Sequence, residues 1–65
     1  MVSPSIYLTP KKLAARLDTT PRLLERWRAE ETGPAYIRMG KRTIRYPLQE
    51  VEAWEAARLC GKVAA

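Results

Sequence analysis

Between Thr9 and Arg28 the apolar positions follow a helical period twice. Leu13, Ala14 and Leu17 make one stripe, and Leu23, Leu24 and Trp27 make another. Each stripe is introduced by a Thr-Pro pair, Thr9-Pro10 and Thr20-Pro21. A threonine hydroxyl accepts from the unpaired N–H groups of a first turn, and proline suits the first helical position because its missing N–H would have no partner there. The pattern predicts a first helix from Pro10 and a second from Pro21 to about Glu30. Asp18 and Thr19 leave room only for a tight corner, so the two helices must cross steeply, as in a helix-turn-helix. Ala14 is small where the helices should approach. At 100° per residue, Arg22, Glu25, Arg26 and Ala29 fall opposite the Leu23/Leu24/Trp27 stripe. A plain helical hairpin would show the same stripes, so the rest of the chain has to discriminate.

Glu30-Glu31-Thr32-Gly33-Pro34 ends the second helix with a polar patch, a glycine able to take positive φ, and a proline. The period then changes. In Ala35–Tyr46, Ile37 and Met39 alternate with Arg38, and Ile44 and Tyr46 alternate with Arg45. This predicts a hairpin with one apolar and one basic face, turned at or near Gly40. Its apolar face must lie on the helices, because a lone two-stranded ribbon is marginal. Pro47–Leu59 reads as a third helix, with Leu48, Val51 and Trp54 on one side, and Gly61 can end it. Met1–Leu8 has no helical period and reads as a leader, extended at Ser3-Pro4, with Ile6 or Leu8 packing before the first cap. The expected organisation is a leader at 1–8, a mainly α domain with a small β-hairpin at 9–60, and a tail at 61–65.

Length and composition narrow the chemistry. With 65 residues there is one small domain, and a chain of this size buries about 60% of its unfolded surface. Two Trp and three Tyr, without Phe, are expected to supply much of the core volume. No apolar run is long enough to span a bilayer, and Met1–Ile6 lacks a signal-peptide pattern. The single Cys60 has no internal disulfide partner; it is expected to be a half-buried apolar residue in a reducing cytoplasm. Without His, a metal-ligand set or a glycine-rich loop, the acids Glu50, Glu52 and Glu55 do not suggest an active site. No enzyme, metal or cofactor is expected.

Charge changes the picture most. The net charge is +5 and the pI near 9.9, but the distribution is uneven. Lys11 to Arg45 holds ten basic and four acidic residues, whereas Tyr46 to Ala65 holds two basic and three acidic. Cations concentrated on the helix pair and hairpin are the electrostatic footprint of a nucleic-acid binder. Arg38, Lys41, Arg42 and Arg45, with no acid among them, suit phosphate or minor-groove contact better than a merely solvated tip. A second helix with one buried side and one narrow, small-to-basic side fits a major groove. Glu25 has two readings: acceptor from a cytosine amine, or intrahelical partner of Arg22 or Arg28.

Taken together, helix, tight turn, helix, basic hairpin and helix resemble the small winged helix-turn-helix domains of phage excisionases and AlpA-type regulators, related to the MerR DNA-binding fold. The resemblance runs over most of the chain. It is carried by YLTPKKLAARLDTTPRLLERWR, by Gly33 to Arg42, and by Arg45-Tyr46 followed by Glu50-Val51-Glu52-Ala53-Trp54. Two departures are Asp18-Thr19, where the family often has a glycine and an apolar residue, and Leu48, where a capping Ser is common. The resemblance implies a recognition helix at 20–30 in the major groove and a wing at 38–45 on phosphates or the minor groove. Arg22 and Arg26 would meet base edges, flanked by Pro21, Glu25 and Arg28, and Thr20 would meet a phosphate at the helix start. Lys41 and Arg42 would carry the wing tip, supported by Arg38, Thr43 and Arg45. The implied role is an excisionase of a mobile element that binds and bends duplex DNA, in the cytoplasm and on the nucleoid, beside neighbouring copies of itself and an integrase. An AlpA-type transcriptional regulator is the alternative. A protein-interaction module such as an antirepressor, using Leu59–Ala65 or the Tyr36 face, is a further one.

Overall fold

The computed structural model describes residues 6–61. Six elements follow one another: β1 (Tyr7–Leu8), α1 (Pro10–Arg16), α2 (Pro21–Ala29), β2 (Ile37–Arg38), β3 (Ile44–Pro47) and α3 (Leu48–Ala57). The three strands form an antiparallel sheet in the order β1-β3-β2. The architecture is mixed, three helices with a three-stranded sheet that contains the expected hairpin and one strand more. The added strand is β1, whose Leu8 pairs with Tyr46 and Tyr7 with Pro47. Those two residues, read from the sequence as leader, belong to the sheet. Leu8 packs against the core while Ile6 stays exposed; Met1–Ser5 of the leader and Lys62–Ala65 of the tail lie outside the described residues.

Both helices of the pair begin as their Thr-Pro signals require. Thr9 Oγ1 accepts from Lys12 N at 3.1 Å, and Thr20 Oγ1 accepts from Leu23 N at 3.3 Å. They also end alike. The Asp18 amide donates to the Ala15 carbonyl and the Thr19 amide to Ala14; in α2, Glu31 donates to Arg28 and Thr32 to Trp27. That crossed pair of bonds is a Schellman ending, which needs a positive φ at the first residue beyond the cap. Asp18 (φ 55) and Glu31 (φ 58) supply it, neither being glycine. Asp18 thus makes the corner between the two helices without a glycine.

β3 runs straight into α3. Pro47 offers that helix no side-chain cap, and the Leu48 amide instead donates to the Ile6 carbonyl at 2.8 Å. The backbone leading into β1 thereby gives one amide of that helix's first turn a partner. α3 stops at Ala57, short of the expected Leu59, and Cys60 is exposed rather than half-buried.

Leu13, Ala14, Leu24, Ile44, Tyr46 and Val51 form the buried core, with Leu8, Leu17, Trp27 and Tyr36 packed around it. Each helix and β3 contributes, so burial of about 1.5–3 kcal/mol per large side chain ties all the layers together. Trp27 and Trp54 pack with tilted rings 5.4 Å apart, and Tyr36 and Tyr46 likewise at 5.8 Å, between ring centroids. Of the aromatics, Tyr46 alone is fully buried; the tryptophans and Tyr36 are half-buried around it, and Tyr7 is exposed.

The hairpin register departs from the sequence reading. Ile37 pairs with Arg45, and Arg38 with Ile44. Directly opposed residues share a face of an antiparallel pair. Ile44 and Tyr46 do face the core, but the side chains sharing their face on β2 are Arg38 and, one step earlier, Tyr36. Ile37 and Met39 turn outward with Arg45. The loop sets this: Met39 N donates to Thr43 O at 2.8 Å, so residues 40–42 form the turn, and one residue more or fewer would reverse every side chain.

Candidate nucleic-acid interface

α2 presents two faces because Leu24 is buried and Leu23 and Trp27 half-buried, while Pro21, Arg22, Glu25, Arg26 and Ala29 are exposed. On the outer side, Thr20, Arg22, Leu23, Glu25, Arg26 and Ala29 line a shallow groove of about 530 Å³. Most of the residues expected to read bases or flank them therefore converge on one strip.

Arg26 is 73% exposed and paired with Glu30 at 3.1 Å. The bond uses Nε, which leaves the two terminal nitrogens, the fork that matches a guanine edge, turned to other acceptors. Glu30 was not among the expected site residues; its position four after Arg26 was the available signal. Glu25 forms no ion pair with a described residue, so its reading as an intrahelical partner of Arg22 or Arg28 does not hold in this fold. The intrahelical pair of α2 is Arg26–Glu30 instead.

Arg28 is placed elsewhere. Its Nη1 donates to the Tyr46 hydroxyl at 2.7 Å, and its guanidinium lies over the Tyr36 ring, 5.8 Å from the centroid. A buried phenol needs a partner, and Arg28 provides it. This side chain is a half-buried clasp from α2 to β3 and is not on the outer strip.

Around the hairpin loop, Arg38, Lys41, Arg42 and Thr43 are exposed. Arg45 is half-buried, with Nη1 donating to the Ile44 carbonyl at 2.8 Å. Thr43 contributes structurally as well, its carbonyl closing the turn. Arg38 stands on the opposite face of the ribbon from Arg45, so the loop cations surround the tip rather than forming one basic face. Among the described residues the ion pairs are Arg16–Glu55 and Arg26–Glu30. Neither Arg22 nor the loop cations form an ion pair with a described carboxylate.

In chemical terms these are two groups of hydrogen-bond-donating cations, one on a helix and one on a hairpin turn. Compared with known proteins, the chain matches no family model and no curated protein.

Proposed function

We propose that this chain is a winged helix-turn-helix module that binds and bends duplex DNA, acting as an excisionase of a mobile element. In this reading α2 enters the major groove, Arg22 and Arg26 meet base edges, Glu25 and Pro21 flank them, and Thr20 lies at a phosphate. Lys41 and Arg42, with Arg38, Thr43 and Arg45, reach phosphates or the minor groove. The observation that carries it is the strip on α2, where Arg22 and the terminal nitrogens of Arg26 face outward beside a small Ala29, on a helix of the width a major groove admits. One module of this kind covers about 600–1,000 Å² of its own surface, too little for high specificity alone. Neighbouring copies on adjacent sites, with an integrase as protein partner, supply the rest. The same array over a promoter would make it a transcriptional regulator, and site placement separates the two. Repeated sites beside an attachment site mark the excisionase.

A salt titration of duplex binding is the test. Log affinity is expected to fall against log salt with a slope near −0.9 per neutralised phosphate. Arg26→Ala should cost about 1–3 kcal/mol on a selected site and little on random duplex. Lys41→Ala with Arg42→Ala should weaken all sequences alike and flatten the slope. No duplex binding at low salt overturns the proposal.

A further inference from the structure

The register of the hairpin leaves two apolar side chains on its outer face, both exposed. Ile37 is 38% and Met39 53% exposed, both on the outer face with Arg45. An apolar pair at a strand end usually faces the core, and the alternation in the sequence suggested it would here. Instead Met39 sits where β2 enters the turn, its backbone fixed by the 2.8 Å bond from Met39 N to Thr43 O. Arg38, Lys41 and Arg42 adjoin it along the chain, and Arg45 stands beside Ile37 across the strands. Apolar surface bordered by Lys41 and Arg42 of the turn and by Arg45 on the same face, with Arg38 on the other side of the ribbon, is a poor contact for a second copy of the chain, since it would bring like charges together. It suits a polyanion with apolar surface at its centre. A duplex is such a partner: phosphates line its minor groove, and base faces open when a step unstacks.

We infer that Met39, backed by Ile37, is a wedge that enters the minor groove and partly unstacks a base step, kinking the duplex. This rests on the DNA-binding reading and supplies the bending in it. Side chains of this type, Met and Ile among them, separate base steps in architectural proteins and kink DNA by about 20–90° toward the major groove. The cations on either side hold the phosphates that flank the opened step. Pyrimidine–purine steps unstack at least cost, so the wedge prefers TA and CA steps. The preference is for a deformable step and requires no base-edge hydrogen bond.

The experiment uses the full chain and a duplex carrying central TA steps, with 2-aminopurine as the adenine of one step. Binding by the native chain should raise 2-aminopurine fluorescence and increase ligase-catalysed cyclisation of a short duplex several-fold. Met39→Ser should abolish most of both signals, and Ile37→Ser should reduce them. Either variant should keep the native salt slope, because no cation is removed. Both side chains are exposed, and circular dichroism checks that the fold is retained. Binding with full salt dependence but without fluorescence change, or unaltered cyclisation by Met39→Ser, overturns the wedge and leaves the DNA-binding reading standing. No duplex binding at low salt overturns both.

Discussion

Asp18 and Glu31 hold the positive φ that lets each helix of the pair stop within one turn. An L-residue in that region costs about 1–2 kcal/mol. Glycine would remove the cost but adds unfolded-chain freedom worth about 0.4–1 kcal/mol. Glu31 also places a carboxylate at the negative end of α2, a further small penalty. Glu31→Gly is therefore expected to stabilise the fold by about 0.5–1 kcal/mol, read as a higher urea midpoint at unchanged m. The glycines two and nine residues on should respond in opposite directions to alanine. Gly33 has φ 84, and a Cβ there would lie 3.0 Å from Trp27 Cε3. Gly33→Ala should cost well over 1 kcal/mol, since it combines strain with a clash against a packed ring. Gly40 lies outside the positive-φ region, and its nearest contact for a Cβ is Thr43 Oγ1 at 3.9 Å. Gly40→Ala should leave stability unchanged or raise it by up to about 1 kcal/mol. Its presence in the turn is not a backbone requirement.

Between elements, the clasp of Arg28 on Tyr46 decides how α2 sits over the sheet. Tyr46 is 1% exposed with Arg28 in place, and Arg28 Nη1 is the hydrogen-bond donor to its hydroxyl. Arg28→Met should cost about 1–3 kcal/mol, the penalty of an orphaned buried hydroxyl. In a Tyr46→Phe background the same substitution should cost far less, and the difference in a double-mutant cycle measures the coupling. Equal costs in both backgrounds would show that Arg28 acts through its stem on Tyr36 instead. The helices were legible in the sequence because caps, prolines and apolar stripes all mark the same boundaries. Arg28 was not, since its position beside the Trp27 stripe looks the same whether the side chain curls onto the sheet or out to a ligand. The sheet was legible only in part. Ile-Arg-Met and Ile-Arg-Tyr both alternate, yet alternation within each strand does not fix which faces coincide. A three-residue turn at 40–42 does, and turn length leaves no apolar trace. β1 escaped the pattern for a simpler reason: two residues, Tyr7 and Leu8, are too few to display a period. On the candidate strip, exposure of Arg22, Glu25 and Arg26 followed from the helical angle alone, whereas the hold of Glu30 on Arg26 Nε depends on a rotamer that spacing does not set.

At the scale of the whole molecule, α1 is braced against α3 by an ion pair that joins residues 39 apart. Arg16 Nε and Nη2 donate to the two carboxylate oxygens of Glu55, each at 2.8 Å. The hydrogen bond from Arg16 holds the Glu55 carboxyl below its ordinary range, with Coulomb attraction adding to it and partial burial opposing it. A carboxyl whose pKa is depressed by folding contributes stability above its unfolded pKa, about 4.3. That contribution is lost as pH falls through the lower, folded value. Native chain and Glu55→Gln should thus differ most in thermal midpoint near neutral pH and converge as the pH is lowered through and below 4. Both side chains are partly solvated, 39% for Arg16 and 31% for Glu55, so the gap should also shrink in high salt. Arg16→Gln should reproduce the neutral-pH loss. A gap that stays constant from pH 7 to pH 2 would mean the pair holds the helices by packing of its stems, with no share from charge. The brace also bears on the proposed DNA binding, because it pairs Arg16 of the cationic half of the chain with Glu55. Releasing Arg16 by Glu55→Gln adds a free cation beside Lys12 without altering α2 or the hairpin loop. If α1 lies against the duplex backbone, that variant should bind random and selected duplex more tightly by the same factor and steepen the salt slope by up to about one phosphate. An unaltered slope would place Arg16 away from the bound DNA and confine the contact set to α2 and the hairpin.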